Sequence, residues 1–276
     1  MDGAAVTLDG ITVDKSAGAT SNTENGDFYG VNAALLATNG ATVTIKNATV
    51  TSSAQNGNGV FSYGSGTTVN ISDSTITLEN CTVTGNMSDT QGASSDENVH
   101  AVMIYQSMSG DADVGTSTFS MTGGSLTGRN GDLFYVTNTH CVLTLSGVTL
   151  RNEDADAYLL RIVGNSASHG WGAAEANGAQ VEFTADAQTL EGDIVVDTIS
   201  TLDLTLKNGS SFTGTVNIIE NAEGGTAVSD NAVVTIESGC TWTLTGDCVI
   251  TSLVNNGTID FNGYTITLAD GTVLQG

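Results

Sequence analysis

An eight-residue phrase recurs along this chain, apolar at its first, third and eighth positions, with Thr or another small polar residue between. It reads VTLDGITV at 6, VTIKNATV at 43, VNISDSTI at 69, ITLENCTV at 76, FSMTGGSL at 119 and LTLSGVTL at 143. Weaker copies follow. VEFTADAQTL at 181 carries extra residues, LTLKNGSS at 204 and VTIESGCT at 234 lose the last apolar position, and IDFNGYTI at 259 restores it. Each half of the phrase alternates apolar and polar, which predicts a strand with one buried face. Between the halves stands a two-residue corner, such as Asp9-Gly10, Lys46-Asn47, Glu79-Asn80, Ser146-Gly147 or Asn262-Gly263. Its second member is usually Gly, Asn or Asp, the residues that tolerate a left-handed backbone.

A β-hairpin would explain such a corner equally well. A third apolar segment ahead of most phrases argues against it: VNAALLA, GVFSYGS, AVMIYQS, DLFYVTN, AYLLRIV, DIVVDTI and TVNIIEN. Three strands per turn, recurring every 23 to 26 residues where no loop intervenes, describe the coil of an all-β, right-handed parallel β-helix. The inward positions then stack as columns: Val6, Val43, Val69, Phe119 and Leu143 in one, Leu8, Ile45, Ile71, Met121 and Leu145 in the next. A tighter third column holds Ile11, Ala48, Cys81, Gly124 and Val148. The phrases at 69 and 76 share Ile76, which leaves no room for a third strand between them. A deletion junction near 75–78 is the favoured explanation, since each coil of a solenoid contacts chiefly its neighbours. An unbroken strand through Ile76 is the observation it requires.

Residues 1–276 are expected to form one β-helix domain of roughly eight to ten coils, an excerpt of a longer surface protein. Absence of Pro, 34 Gly, 5% aromatic residues and abundant Thr, Ser, Asn and Val suit strands and turns. Thirty acidic residues against six basic ones give a formal charge of −24, which repels nucleic acid and anionic membranes. No apolar run approaches the ~20 residues of a membrane helix. Neither nucleic-acid binding nor membrane insertion is expected, and the chain is read as extracellular and monomeric. Of the four cysteines, Cys240 and Cys248 are close enough in sequence to form a disulfide. Buried free thiols are the other reading for Cys81, Cys141, Cys240 and Cys248.

Phrases such as VTIKNATVTSS, NGDLFYVTNTHCVLTLSGVTL, QTLEGDIVVDTIS and SGCTWTLTGDCVI resemble those of repeat-rich, adhesin-like β-helical proteins of gut anaerobes. The resemblance covers nearly the whole chain. It implies a pectin-lyase-like fold and a place on the bacterial surface, and it transfers no functional residue.

Many parallel β-helices are polysaccharide lyases or hydrolases. Such chemistry needs a base above a carboxylate cluster, or paired carboxylates on one face. The acidic groups Asp111/Asp113 and Glu153/Asp154/Asp156 instead fall in loops or turns, and His100, His140 and His169 show no ligand spacing. No cofactor is expected. Calcium at Asp111 and Asp113 is the one metal candidate, although the full twelve-residue loop pattern is missing. Arg161 points out of a first strand, near Asp154 and Asp156 in sequence, where an ion pair would also explain it.

Two binding candidates remain. The Gly-rich loop 164–178 carries His169 and Trp171, and an exposed indole stacks on sugars or anchors a protein. Tyr105, Tyr135 and Arg161 form an outward ridge on successive first strands, which would make a shallow groove. The preferred reading is non-catalytic recognition at the cell surface of a host or dietary glycan, or of a host secretory protein such as an immunoglobulin. A polysaccharide lyase or hydrolase is second and a structural stalk third.

Overall fold

The computed structural model describes residues 1–19, 25, 29–52, 54, 59–63, 74–85, 100–105, 115–164, 176–221 and 224–276. In chain order the early coils hold β1 (Ala5–Asp9), β2 (Thr12–Lys15), β3 (Leu35–Thr38), β4 (Thr42–Lys46), β5 (Thr49–Ser52), β6 (Val60–Tyr63) and β7 (Ser74–Gly85). The middle coils hold β8 (His100–Tyr105), β9 (Thr116–Gly128), β10 (Asp132–Thr137), β11 (His140–Ser146), β12 (Thr149–Asn152), β13 (Leu160–Ile162), β14 (Gln180–Asp186), β15 (Thr189–Glu191) and β16 (Ile194–Asp197). The last coils hold β17 (Thr201–Lys207), β18 (Ser211–Thr213), β19 (Val216–Ile219), β20 (Ala232–Ile236) and β21 (Thr241–Thr243). They end with β22 (Cys248–Ile250), β23 (Ser252–Asn255), β24 (Thr258–Asp260), β25 (Thr265–Leu268) and β26 (Val273–Gln275).

These strands stack into three sheets, the arrangement of a right-handed parallel β-helix. The first runs β1-β4-β7-β9-β11-β14-β17-β20-β23, with β2, β5 and β12 continuing it around the corner. The second runs β15-β18-β21-β24, and the third β26-β25-β22-β19-β16-β13-β10-β8-β6-β3. All seven apolar segments read as third strands lie in that third sheet. Among the described residues every pairing between neighbouring coils is parallel, and only the terminal strand β26 returns antiparallel, against β25.

Register shows how the columns form. Val6 pairs with Val43, Val43 with Ile76, Ile76 with Phe119 and Phe119 with Leu143. The neighbouring column runs Leu8, Ile45, Leu78, Met121, Leu145, Ala185, Leu206 and Ile236. Ile76 and Leu78 thus hold the places expected for Val69 and Ile71, which lie outside the described residues. The strand β7 runs unbroken through Ile76, because the phrase at 76 supplies the full alternation on both sides of its corner. A continuous apolar core fills the interior from Leu35 to Ile266.

The corners use the left-handed backbone that their residues predict: φ is +65° at Gly10, +49° at Asn47, +50° at Asn80, +61° at Gly147 and +54° at Asn208. At Gly124 the requirement is also steric, since a Cβ would stand 1.9 Å from the Cys81 carbonyl oxygen of the coil beside it. In later coils the corner lengthens, so the apolar position that seemed lost reappears one or more residues on. Leu190, Phe212 and Trp242 fill it, all buried. The indole of Trp242 stacks on Phe212 with ring centroids 5.6 Å apart and donates its Nε1–H to the Gly214 carbonyl at 3.0 Å. The phrase at 259 is a correction. Its first half is β24, paired with β21 in the second sheet, and its corner leads into the third sheet, so it stands one strand out of phase with the others.

All four cysteines are buried free thiols, including Cys240 and Cys248. Burial pushes Cys141 up to about 12; it also pushes Cys248, helped by the nearby Asp193 and Asp247 charges, up to about 11, so neither is a nucleophile at neutral pH. The corner between the first two strands of a described coil never exceeds four residues, and every longer connection enters or leaves the third sheet.

Candidate functional site

At its middle coils the third sheet is buried on both faces, since all six residues of β8 and all six of β10 are buried. Val102, Ile104, Phe134 and Val136 face the main core, while Met103, Tyr105 and Tyr135 form a separate buried cluster. Ala33, Leu36 and Val163 pack on that cluster. A parallel sheet covered on both sides needs near-continuous apolar strands, which AVMIY and LFYV supply.

Tyr105, Tyr135 and Arg161 do alternate with the core-facing residues, but they do not make the exposed ridge that their spacing predicts. Tyr135 lies beside Arg161 and Met103 in register, while Tyr105 lies beside Thr137, one step further along the sheet. Tyr105 is 2% exposed and Tyr135 1%, whereas the Arg161 side chain keeps 24% of its surface in contact with solvent. Arg161 is the member of the three that solvent reaches.

Its partner is a residue that the sequence pattern passes over. Arg161 donates from Nε to Oδ2 of Asp132 at 2.6 Å, rather than pairing with Asp154 or Asp156. The carboxylate of Asp132 is 1% exposed and its Oδ1 accepts the Tyr158 backbone N–H at 2.8 Å. The Arg161 guanidinium carbon lies 4.8 Å from the centroid of the Tyr158 ring, a cation–π contact. His100 completes the group: its ring stacks on Tyr135 at 4.3 Å, and its Nδ1 lies 3.4 Å from Asp132 Oδ2. Among the described residues neither ring nitrogen of His100 has a partner in good hydrogen-bond geometry.

Burial alone would raise the Asp132 carboxyl. The adjoining His100 and Arg161 and the Tyr158 amide outweigh it and hold the carboxyl below the usual carboxylate range. Burial would likewise lower Arg161, but the Asp132 carboxylate reverses that and holds the guanidinium more firmly protonated. Asp132 shares its parity along β10 with Phe134 and Val136, so alternation assigns it to the core. The signal that could have found it is a carboxylate at a core-parity position directly after the Gly131 turn, where a strand is just beginning.

The other ion pairs among the described residues lie at the surface, and Asp197, 1% exposed, is a second buried carboxylate, held by hydrogen bonds from the Gly164 N–H and the Asn221 side chain rather than by a cation. Lys46 meets Glu79 at 2.9 Å, Lys207 meets Asp186 at 3.4 Å, and Glu153 lies between Arg129 at 3.8 Å and Arg151 at 3.4 Å. Asp154 shapes its turn, accepting the Gly131 N–H at 2.8 Å and the Asp156 N–H at 3.2 Å. His140 meets Glu182 at 2.8 Å on the first sheet. Among the described residues no group of three or more His, Cys, Asp or Glu side chains is placed to hold a metal ion. His169, Trp171, Asp111 and Asp113 lie outside the described residues.

With this geometry in place, comparison with known proteins gives one informative match. The chain is distantly similar to a bacterial autotransporter adhesin. That protein, the autotransporter adhesin/invasin TibA of Escherichia coli O78:H11 (strain H10407, ETEC), is 30% identical over 230 residues. The match covers 81% of this chain and 21% of the adhesin, so the chain spans about a fifth of its relative's length. No family model matches, and no solved structure matches. Among the described residues no helix is long and apolar enough to cross a membrane.

Proposed function

We propose that this chain is a non-catalytic, adhesin-like recognition segment displayed outside a bacterial cell, which holds a host or dietary glycan, or a host secretory protein such as an immunoglobulin. The observation that carries this reading is the likeness to an adhesin/invasin along most of the chain. The fold supports it, because a solenoid presents a long, stiff side face whose outward residues are free to vary without loss of the core. The binding side is the third sheet, where all the longer connections gather and where Arg161 reaches solvent. His169 and Trp171, in the 164–178 segment that follows β13 in sequence, are the further ligand-binding residues of this reading. Tyr105 and Tyr135 support the binding side from beneath. A calcium ion at Asp111 and Asp113 is the one metal that the reading admits.

The test is an array of glycans and host secretory proteins probed with the purified chain, with and without calcium, beside Trp171→Ala. Saturable binding that the variant loses supports recognition through the 164–178 segment. A blank array for the wild-type chain moves the reading to a stalk.

A further inference from the structure

Four of the six basic side chains sit in surface pairs whose partners are also solvated, and such pairs do not hold a side chain in one place. Arg161 differs. Its Nε is tied to a buried carboxylate, the same carboxylate is tied by Oδ1 to the backbone, and the guanidinium plane is backed by the Tyr158 ring. A guanidinium has five N–H donors, and among the described residues only the Nε–H of Arg161 makes a hydrogen bond. Among the described residues the Nη donors thus stand in a fixed, partly exposed fork without an acceptor.

Charge decides which acceptors suit it. Asp132 cancels the Arg161 charge locally, and the chain as a whole carries −24. A carboxylate or phosphate approaching this point would leave water for a site without net positive charge, inside a field of its own sign. Hydroxyl and carbonyl oxygens carry no such penalty and accept from a guanidinium in strong, charge-assisted bonds.

We propose that Arg161, positioned by Asp132 and Tyr158, donates through its Nη groups to the hydroxyl and acetamido oxygens of an uncharged sugar. This rests on the recognition reading above and narrows its ligand class. In it Arg161 touches the ligand, and Asp132 acts through Arg161.

The experiment is a printed array of neutral oligosaccharides beside their sialylated and uronic-acid-bearing counterparts, with host secretory proteins on the same slide. The full chain is compared with Arg161→Gln, Arg161→Lys and Asp132→Asn. Neutral probes should be retained by the wild-type chain and weakened about tenfold or more in Arg161→Gln, the size of one or two charge-assisted hydrogen bonds. Arg161→Lys keeps the ion pair with Asp132, and so the melting temperature, but loses the planar fork. Its affinity should fall while its stability holds, a split that a purely structural role would not give. Binding confined to carboxylate-bearing probes overturns the proposal, as does neutral binding unchanged in Arg161→Lys. Capture of a host protein with no glycan bound overturns it too, yet leaves the recognition reading intact. A slide blank for both classes sinks the two together.

Discussion

At the scale of single residues, Asp132 carries the most consequence. It is a buried charge held by a guanidinium and a backbone N–H, and removing one partner of such a pair typically costs about 3–5 kcal/mol. Its carboxyl is held below the value of about 3.9 that an unfolded Asp shows. Its contribution is therefore complete above that value and is lost as pH falls through the folded-state pKa. Urea unfolding midpoints measured from pH 6 downward should drop for the wild-type chain below about pH 4. The Asp132→Asn variant should start lower and fall less over the same range; parallel curves for the two would show that Asp132 does not set this acid sensitivity. Neither the residue nor its role was legible in the sequence. Alternation reports which side of a strand a residue takes, and at the first position of β10 the chain is leaving a turn, so parity misleads.

At the scale of elements, the alternating phrase and its corner residues were readable because they express local backbone physics, and among the described residues eight of the corner or turn sites with φ above zero are not glycine. Seven of those eight are Asn, the remaining one being Ala187 at +48°. What the pattern could not show is how the corner lengthens in later coils. There Gln188 replaces an apolar side chain at the turn and mimics a strand, accepting the Val148 N–H at 2.8 Å and donating to the Val148 carbonyl at 2.7 Å. Those two bonds stitch neighbouring coils where the first-sheet ladder gives way to the second sheet. Gln188→Ala would strand both backbone groups in a buried site, each at about 1–3 kcal/mol. Thermal unfolding should show a clear loss of stability, whereas Gln188→Glu, which keeps an acceptor for Val148 N–H, should lose less if its carboxyl is protonated at low pH. An unchanged melting temperature in Gln188→Ala would mean that water replaces the amide.

At the scale of the whole molecule, the repeat made the β-helix legible, including seven of the ten third-sheet strands, since period and register are properties of the entire chain. Burial of Tyr105 and Tyr135 was not legible, because part of their cover comes from Ala33 and Leu36, far away in sequence. The phase slip at 259 was missed for a related reason: the same phrase can fold around any corner of the coil. In the proposed role this solenoid retains a ligand without altering it. The most direct test is to incubate the purified chain with immobilised mucin and neutral polysaccharides, following bound protein and released reducing ends in the same wells. Saturable retention, with no reducing ends or unsaturated sugar released over hours, is the predicted result; steady release of either product would contradict the account and make the chain an enzyme.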